Sequence, residues 1–167
     1  MKIDLIYFSW SGRTAKVFSY IEKFLKDRGY DVSKKEIKPL KGRSYAFWLI
    51  LSFIPNLGVE IEDVRINSDI IFLGSPKWTL NCPPVTEFIK KYDLSGKEIF
   101  IVLTYGGFDE ERYLESLKQK IMEKGAAVRD TILLKRKIID SGGFVEVVEP
   151  WLKEISRINF EQRFEQY

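Results

Sequence analysis

The chain has 167 residues, of which 45% are apolar and 31% charged, so it fits one globular domain and is far from a disordered composition. Its net charge of +3 is modest, and it has no histidine and a single cysteine, Cys82. These counts exclude an internal disulfide, a Cys-x-x-Cys redox pair and the Ser-His-Asp and Cys-His catalytic arrangements, so any redox chemistry needs a bound cofactor.

The first elements predicted along the chain are a buried strand and a helix. Residues Ile3–Phe8 form a nearly continuous apolar run, which is typical of a strand buried on both faces of a parallel sheet. From Thr14 onwards apolar residues recur at helical spacing until Gly29, which ends the helix. Residues 31–37 predict a second strand, a weaker one because several of its residues are polar.

Residues 40–62 depart from a simple alternation of strand and helix. Their apolar stretch, residues 45–54, is too short to span a bilayer, which takes about 20 residues. It predicts a buried or surface-capping helix between the second and third strands. We expect this helix to serve the core or a contact between subunits, and a membrane-surface or substrate-lid role is the alternative.

The second half of the chain repeats the strand and helix pattern. Strands are predicted at residues 70–74, 99–104 and 127–134, and helices start at Pro83-Pro84, span residues 110–124 and run from Phe144 to about Phe164. Five strands alternating with helices predict a parallel sheet covered on both faces, which is a three-layer α/β sandwich. Ligands bind such sheets beyond the carboxyl ends of the strands, so we expect a site in the loops after the first, third and fourth strands.

The loop between the first strand and its helix is a candidate phosphate site. It consists of Ser9, Trp10, Ser11, Gly12, Arg13 and Thr14. Three hydroxyls can donate to an anion at a helix N-terminus, and the glycine lets the backbone approach closely. The alternative is that Ser11 only caps the helix. The sequence has no Walker loop and no Gly-x-Gly-x-x-Gly after a strand, so the loop suits a single terminal phosphate.

This loop resembles the flavodoxin motif Thr/Ser-x-Thr/Ser-Gly-x-Thr, which holds the phosphate of FMN. The similarity continues through Leu73–Trp78 and Pro83–Val85, which resemble the second flavin loop, and through Ser95–Gly107, which resembles the third. It covers nearly the whole chain as a single domain of residues 1–167, and residues 40–62 are its least standard part. The resemblance to flavodoxin-like FMN-binding proteins implies a five-stranded, doubly wound parallel sheet with strand order 2-1-3-4-5.

The resemblance also implies which residues hold FMN. The phosphate would lie in the loop of residues 9–14, and two later loops would border the isoalloxazine ring. The implied ring contacts are Ser75, Pro76, Lys77, Trp78 and Thr79 on one side and Thr104, Tyr105, Gly106, Gly107 and Phe108 on the other. A flat apolar ring needs aromatic faces, and Trp78, Tyr105 and Trp10 can supply them, although Trp78 taken alone could be an ordinary core residue. No metal ligand or catalytic side chain is predicted.

Two residues depart from the family pattern or invite a second role. Lys77 stands where family members often have an apolar residue. If it faces the ring, it would favour the anionic reduced flavin and raise its potential, and the alternative is a solvated lysine. Cys82 is expected to be buried or inert, because only Lys77 lies near it in sequence to acidify the thiol.

The resemblance implies a protein that transfers electrons to and from a redox partner protein. The alternative is an FMN-dependent oxidoreductase that uses NAD(P)H or a small-molecule acceptor of quinone or porphyrin type, and residues 45–54 could then line its pocket or form a homodimer contact. A flavin-free binding module is a third hypothesis. A phosphoacceptor receiver is disfavoured, because Tyr7–Ser9 and Leu73–Ser75 lack its acidic residues.

The net charge and the N-terminal residues indicate which partners and which cellular location to expect. Electron carriers of this family are typically strongly acidic, so a slightly basic chain argues against docking on basic partners. Basic and acidic residues are interleaved without a dense basic stripe, and no nucleic-acid binding is expected. The first residues lack the pattern of a secretory signal and no transmembrane segment is predicted, so we expect a cytoplasmic location.

Overall fold

The computed structural model describes residues 1–160, without the side chains of residues 159 and 160. Its strands are β1 (Lys2–Tyr7), β2 (Asp31–Glu36), β3 (Ile70–Pro76), β4 (Glu98–Tyr105) and β5 (Ala127–Lys135). Its α-helices are α1 (Arg13–Lys26), α2 (Tyr45–Leu51), α3 (Pro83–Lys91), α4 (Glu110–Glu123), α5 (Arg136–Ser141) and α6 (Val145–Ile155), and a π-helical turn follows over Ser156–Phe160. The strands are parallel and lie in the order β2-β1-β3-β4-β5, which confirms the predicted topology.

Two hydrophobic cores lie on the two faces of the sheet, because successive strand residues point to opposite faces. One core joins Ile101 of β4 to Phe88 of α3 and to residues of α4. The other joins Phe72 of β3 to Phe18 of α1 and Leu152 of α6. Helices therefore cover both faces, and the predicted three-layer sandwich is confirmed.

The two edge strands differ from the central ones in polarity and regularity. β2 is only half-buried and carries Lys34 and Lys35, which is why its sequence signal is weak. In β5, Val128 lies opposite Ile99 and Asp130 lies opposite Phe100, so the residue between them is an extra one. This β-bulge makes β5 irregular along the outer edge of the sheet.

The segment between β2 and β3 contains the predicted helix, α2. The Ser44 hydroxyl caps it by accepting a hydrogen bond from the Phe47 N–H at 3.4 Å. Trp48 is buried, and its ring lies 6.3 Å from that of Trp78 in the loop after β3. An antiparallel bridge between Pro39 and Ile61 closes the segment at its base. The helix thus packs over the loop that follows β3.

The C-terminal helices differ from the prediction. No separate signal in the sequence predicts α5, because six residues are too few to show helical periodicity. Gly142, with φ of +83°, ends α5 and separates it from α6. Pro150 lies inside α6 without dividing it. The predicted end of this helix, near Phe164, lies outside the described residues.

Within residues 1–160, the helices are too short or too polar for any of them to traverse a membrane. The same part of the chain contains no group of three or more His, Cys, Asp or Glu side chains arranged to hold a metal ion. The loops after β1, β3 and β4 meet at the carboxyl edge of the sheet, because these strands are parallel and adjacent.

Candidate functional site

A pocket of about 280 Å³ opens at the carboxyl edge of the sheet. It lies at the position where the strand order reverses, since β1 has β2 on one side and β3 on the other. Its wall combines ten predicted residues, Trp10, Ser11, Arg13, Thr14, Pro76, Lys77, Trp78, Thr104, Tyr105 and Gly106, with two that were not predicted, Tyr45 and Arg136. The three predicted loops thus converge on one cavity.

The first loop turns into α1 at Gly12, whose φ of +83° favours glycine. The Ser9 hydroxyl accepts a hydrogen bond from the Ala15 N–H at 3.2 Å, so Ser9 and not Ser11 satisfies the first turn of the helix. Ser11 lines the pocket, and its hydroxyl bonds to no residue in the described part of the chain. The loop therefore presents a free hydroxyl beside a helix N-terminus, where the dipole favours an anion.

Two contacts fix the start of α1 against its neighbours. The Arg13 guanidinium donates two hydrogen bonds to the Asp140 carboxylate of α5, at 2.7 and 2.9 Å. These bonds hold the pKa of Asp140 below its usual value. The Thr14 and Thr104 hydroxyls lie 3.0 Å apart in a buried contact between α1 and the end of β4. A threonine hydroxyl both donates and accepts, so each retains capacity for a second partner.

The aromatic residues of the site differ in exposure. Trp10 is 44% exposed, and its ring lies 6.3 Å from that of Tyr45. Trp78 is 9% exposed and packs edge-on against Phe8, so it belongs mostly to the core and offers the pocket little surface. Burial, and then the charge of neighbouring Glu110, raises the pKa of Tyr105, which is therefore a neutral phenol near neutral pH.

Three cations and no carboxylate line the pocket within the described chain. Besides Arg13 they are Lys77 and Arg136. The Arg136 guanidinium lies over Gly106, where an added Cβ would come within 2.8 Å of an Nη atom. The Lys77 N–H donates to the Thr104 carbonyl at 2.7 Å, and its ammonium lies 5.5 Å from the centroid of the Phe108 ring. The pocket is therefore electropositive.

Of the two pocket residues that were not predicted, only Arg136 has a signal in the sequence. Arg136 follows directly on β5, so the rule that sites form at the carboxyl ends of parallel strands could have found it. Tyr45 begins α2, and nothing local in the sequence indicates that this helix lies beside the first loop.

Six of the predicted residues lie outside the pocket wall: Ser9, Gly12, Ser75, Thr79, Gly107 and Phe108. Ser75 is fully buried and donates to the Pro76 carbonyl at 3.1 Å. The Thr79 hydroxyl contacts that of Ser52, which fixes the end of α2. Phe108 is 83% exposed. Contacts between these residues and a ligand stay predictions.

Cys82 lies at the start of α3 and is not part of the pocket wall. Burial raises the pKa of its thiol to about 12, so the thiolate that reacts with electrophiles is scarce at neutral pH. Burial likewise raises the pKa of the adjacent Tyr113 well above its usual value. Both groups are buried and neutral, in agreement with the predicted inert cysteine.

Comparison with known proteins relates the chain to one protein by sequence and to others by fold. No protein-family model matches the sequence. An uncharacterized protein of Archaeoglobus fulgidus is 39% identical over 135 residues, which cover 81% of this chain and 86% of that protein. A flavoprotein of Lactobacillus acidophilus, solved in complex with FMN, superposes with a TM-score of 0.62 at 21% identity, over 84% of this chain and 97% of its own. The two-electron reduced flavodoxin of Megasphaera elsdenii superposes with a TM-score of 0.53 at 23% identity, over 79% and 85% of the two chains.

Proposed function

This chain belongs to the same family as the Archaeoglobus fulgidus protein and has the flavodoxin-like fold, and on that basis we propose that it binds FMN and transfers electrons through it. The observation that carries the proposal is the pocket at the carboxyl edge, which has hydroxyls and a helix N-terminus beside exposed aromatic surface. FMN has a matching form, a phosphate joined by a flexible chain to a flat ring. A flavoprotein of the same fold has been solved with FMN bound.

The residues of the pocket fit the two ends of FMN. Ser11, Thr14 and the first N–H groups of α1 would hold the phosphate, and Arg13 adds positive charge that Asp140 partly offsets. Trp10 and Tyr105 would border the ring. When bound, the flavin supplies reversible uptake of electrons, and the protein contributes position and electrostatics.

The visible spectrum of the purified protein tests the cofactor. We expect yellow protein with flavin bands, or uptake of added FMN at micromolar concentration. Replacing both Ser11 and Thr14 with alanine should weaken FMN binding about 100-fold, because each removes a hydrogen bond to a charged group. The affinity for riboflavin, which lacks the phosphate, should change far less.

The matched control for this pair is Ser116→Ala, at an exposed position on α4 outside the pocket, which should leave both affinities unchanged. An equal loss of FMN and riboflavin affinity in the double variant would place the phosphate elsewhere. A colourless protein that does not take up FMN would refute the cofactor itself.

The proposal favours a carrier over an enzyme because solved structures that share this fold include a flavodoxin. Stopped-flow mixing of the FMN-loaded protein with NADH or NADPH separates the two. A carrier shows no rapid bleaching of the flavin, whereas an NAD(P)H-dependent oxidoreductase bleaches it quickly. A single domain of residues 1–167 and a cytoplasmic location, both expected from the sequence, are part of the same proposal.

Self-association through residues 45–54 is a second part of the proposal. Ile50 is 65% exposed, Phe53 59% and Ile54 48%, which is unusual for neighbouring apolar side chains. If this surface forms a homodimer, Phe53→Lys should convert it to a monomer in sedimentation velocity. Met122→Lys changes a comparably exposed apolar residue on α4 and should leave the dimer intact. A wild-type monomer at all accessible concentrations would contradict the homodimer.

A further inference from the structure

We propose that the mouth of the pocket docks an acidic redox protein. The proposal rests on the proposed function and names the chemistry of the partner. The docking surface, which we call the cationic rim, consists of Trp10, Lys77, Phe108, Lys135, Arg136 and Lys137.

The cations of the rim lie together at one edge of the sheet. Lys135 ends β5 opposite Tyr105, and Arg136 and Lys137 begin α5, so three consecutive cations stand at the carboxyl edge beside the pocket. Lys77 lies across the pocket at the end of β3. Among residues 1–160, none of these four cations forms an ion pair.

The carboxylates nearest the rim are mostly neutralised. Asp140 binds Arg13, and Asp109 binds Arg112, in ion pairs of their own. Glu110 is the exception, and it lies against the Tyr105 hydroxyl. Asp140 and Asp109 also interact electrostatically with Arg136 and Lys77, but each already pairs with another arginine, so the rim carries an excess of positive charge.

Aromatic side chains complete the surface. Phe108 is 83% exposed in the loop after β4, and Trp10 is 44% exposed in the pocket wall. The Lys77 ammonium lies 5.5 Å from the Phe108 ring, so cation and aromatic surface form one patch. Aromatic side chains and arginine are enriched at protein interfaces, and the rim combines both with lysines that supply charge.

Charge complementarity identifies the occupant. A second copy of this chain on the same surface would bring cations against cations, which is costly, whereas an acidic protein would satisfy them. Electron transfer needs the flavin ring close to the partner's redox centre, and Lys77 and Phe108 of the rim belong to the two loops proposed to border that ring. The inferred partner is therefore a protein with an acidic surface around its own redox centre.

The experiment compares two redox proteins of opposite charge over a range of ionic strength. In stopped flow, an acidic plant-type [2Fe–2S] ferredoxin, reduced and freed of reductant, gives one electron to oxidised FMN on the protein. The cluster is oxidised and the flavin reduced, and no bond forms or breaks. For the basic probe, photoreduced FMN on the protein gives one electron to the ferric haem of cytochrome c.

We expect the rate with ferredoxin to fall about tenfold or more between about 20 and about 500 mM NaCl, because salt screens the attraction. The rate with cytochrome c should stay level or rise. A ferredoxin rate that does not depend on salt, or a cytochrome c rate that falls with salt, would overturn the proposal, and neither result depends on a variant.

A charge-reversal pair locates the effect on the rim. Neither Lys135 nor Lys137 lines the pocket, so K135E/K137E should retain FMN and lose about tenfold in the low-salt ferredoxin rate. K2E/K23E changes the net charge equally at the opposite edge of the sheet, at exposed positions, and should stay within about twofold of wild type. Equal losses of the ferredoxin rate in both variants would mean that only net charge matters. That result would overturn the proposal that the rim is the docking surface.

Two further outcomes distinguish docking of an acidic partner from self-association and from failure of the proposed function. If sedimentation velocity shows a low-salt dimer that K135E/K137E abolishes, a second copy covers the rim and the proposal is wrong. If the protein does not bind FMN, the proposed function fails alone, and immobilised ferredoxin then tests docking directly. Low-salt capture of the flavin-free chain that K135E/K137E removes would support the rim, and no capture would refute it.

Discussion

Replacing Asp4 with alanine is expected to lower the free energy of unfolding by about 3 kcal/mol, because it removes one partner of a buried ion pair. Asp4 is fully buried in β1 and accepts a hydrogen bond from the Lys35 ammonium at 2.6 Å. Its other oxygen accepts from the N–H groups of Asn67 at 2.6 Å and Ser68 at 2.9 Å. The variant leaves a cation and two backbone donors without an acceptor.

Urea unfolding monitored by fluorescence measures this loss. Asp63→Ala is the matched control, because it removes the partner of Lys91 in an ion pair where the Asp63 side chain is 87% exposed, and it should leave stability unchanged within error. Asp4→Asn keeps an acceptor for one N–H and should fall between the two. If D4A and D63A had equal stability, the buried carboxylate would have no special role in holding β1, β2 and the start of β3 together.

Replacing Gly74 with alanine is expected to cost about 2 kcal/mol or more, because the added methyl group has no room. Gly74 lies in β3 opposite Tyr7 of β1, beneath α1. An added Cβ would lie 2.6 Å from the Phe18 ring at Cζ and 2.7 Å from Cβ of Tyr7. Phe18 is fully buried, so it cannot move aside without displacing α1.

The same urea experiment measures this effect against a matched glycine. Gly42→Ala adds a methyl group that meets no atom within 4 Å, so it should be neutral or slightly stabilising. Because α1 carries the first loop of the pocket, G74A should also weaken FMN binding if the helix shifts. Wild-type stability in G74A would mean that α1 packs farther from β3 than the structure shows.

The parts of the fold that the sequence predicted well have a local signal. β3 and β4 are buried on both faces and read as unbroken apolar runs, and α1 and α4 show one apolar face. The first loop was predicted because hydroxyls and glycine at a helix start have a chemical meaning without tertiary context. The topology followed from the alternation of elements and the family resemblance.

The parts that escaped prediction depend on contacts distant in sequence. Trp78 is buried by Phe8 at the end of β1 and by Trp48 of α2, and both elements precede β3 in the chain. Arg136 reaches the pocket because β5 lies beside β4 and positions its last residue opposite Tyr105. Periodicity reports one element at a time, so it cannot show which side chains from different elements share a cavity.

The polar character of β2 and the bulge in β5 affect how copies of the chain meet one another. A sheet with open edges can recruit strands from other molecules and aggregate. Here Lys34 of the edge strand β2 pairs with Glu22 at 2.5 Å, and the bulge between Val128 and Asp130 interrupts the ladder between β4 and β5, which makes the other edge strand irregular. Intermolecular strand addition is thus discouraged at both edges, which leaves the helical faces and loops as the surfaces where copies or partners associate.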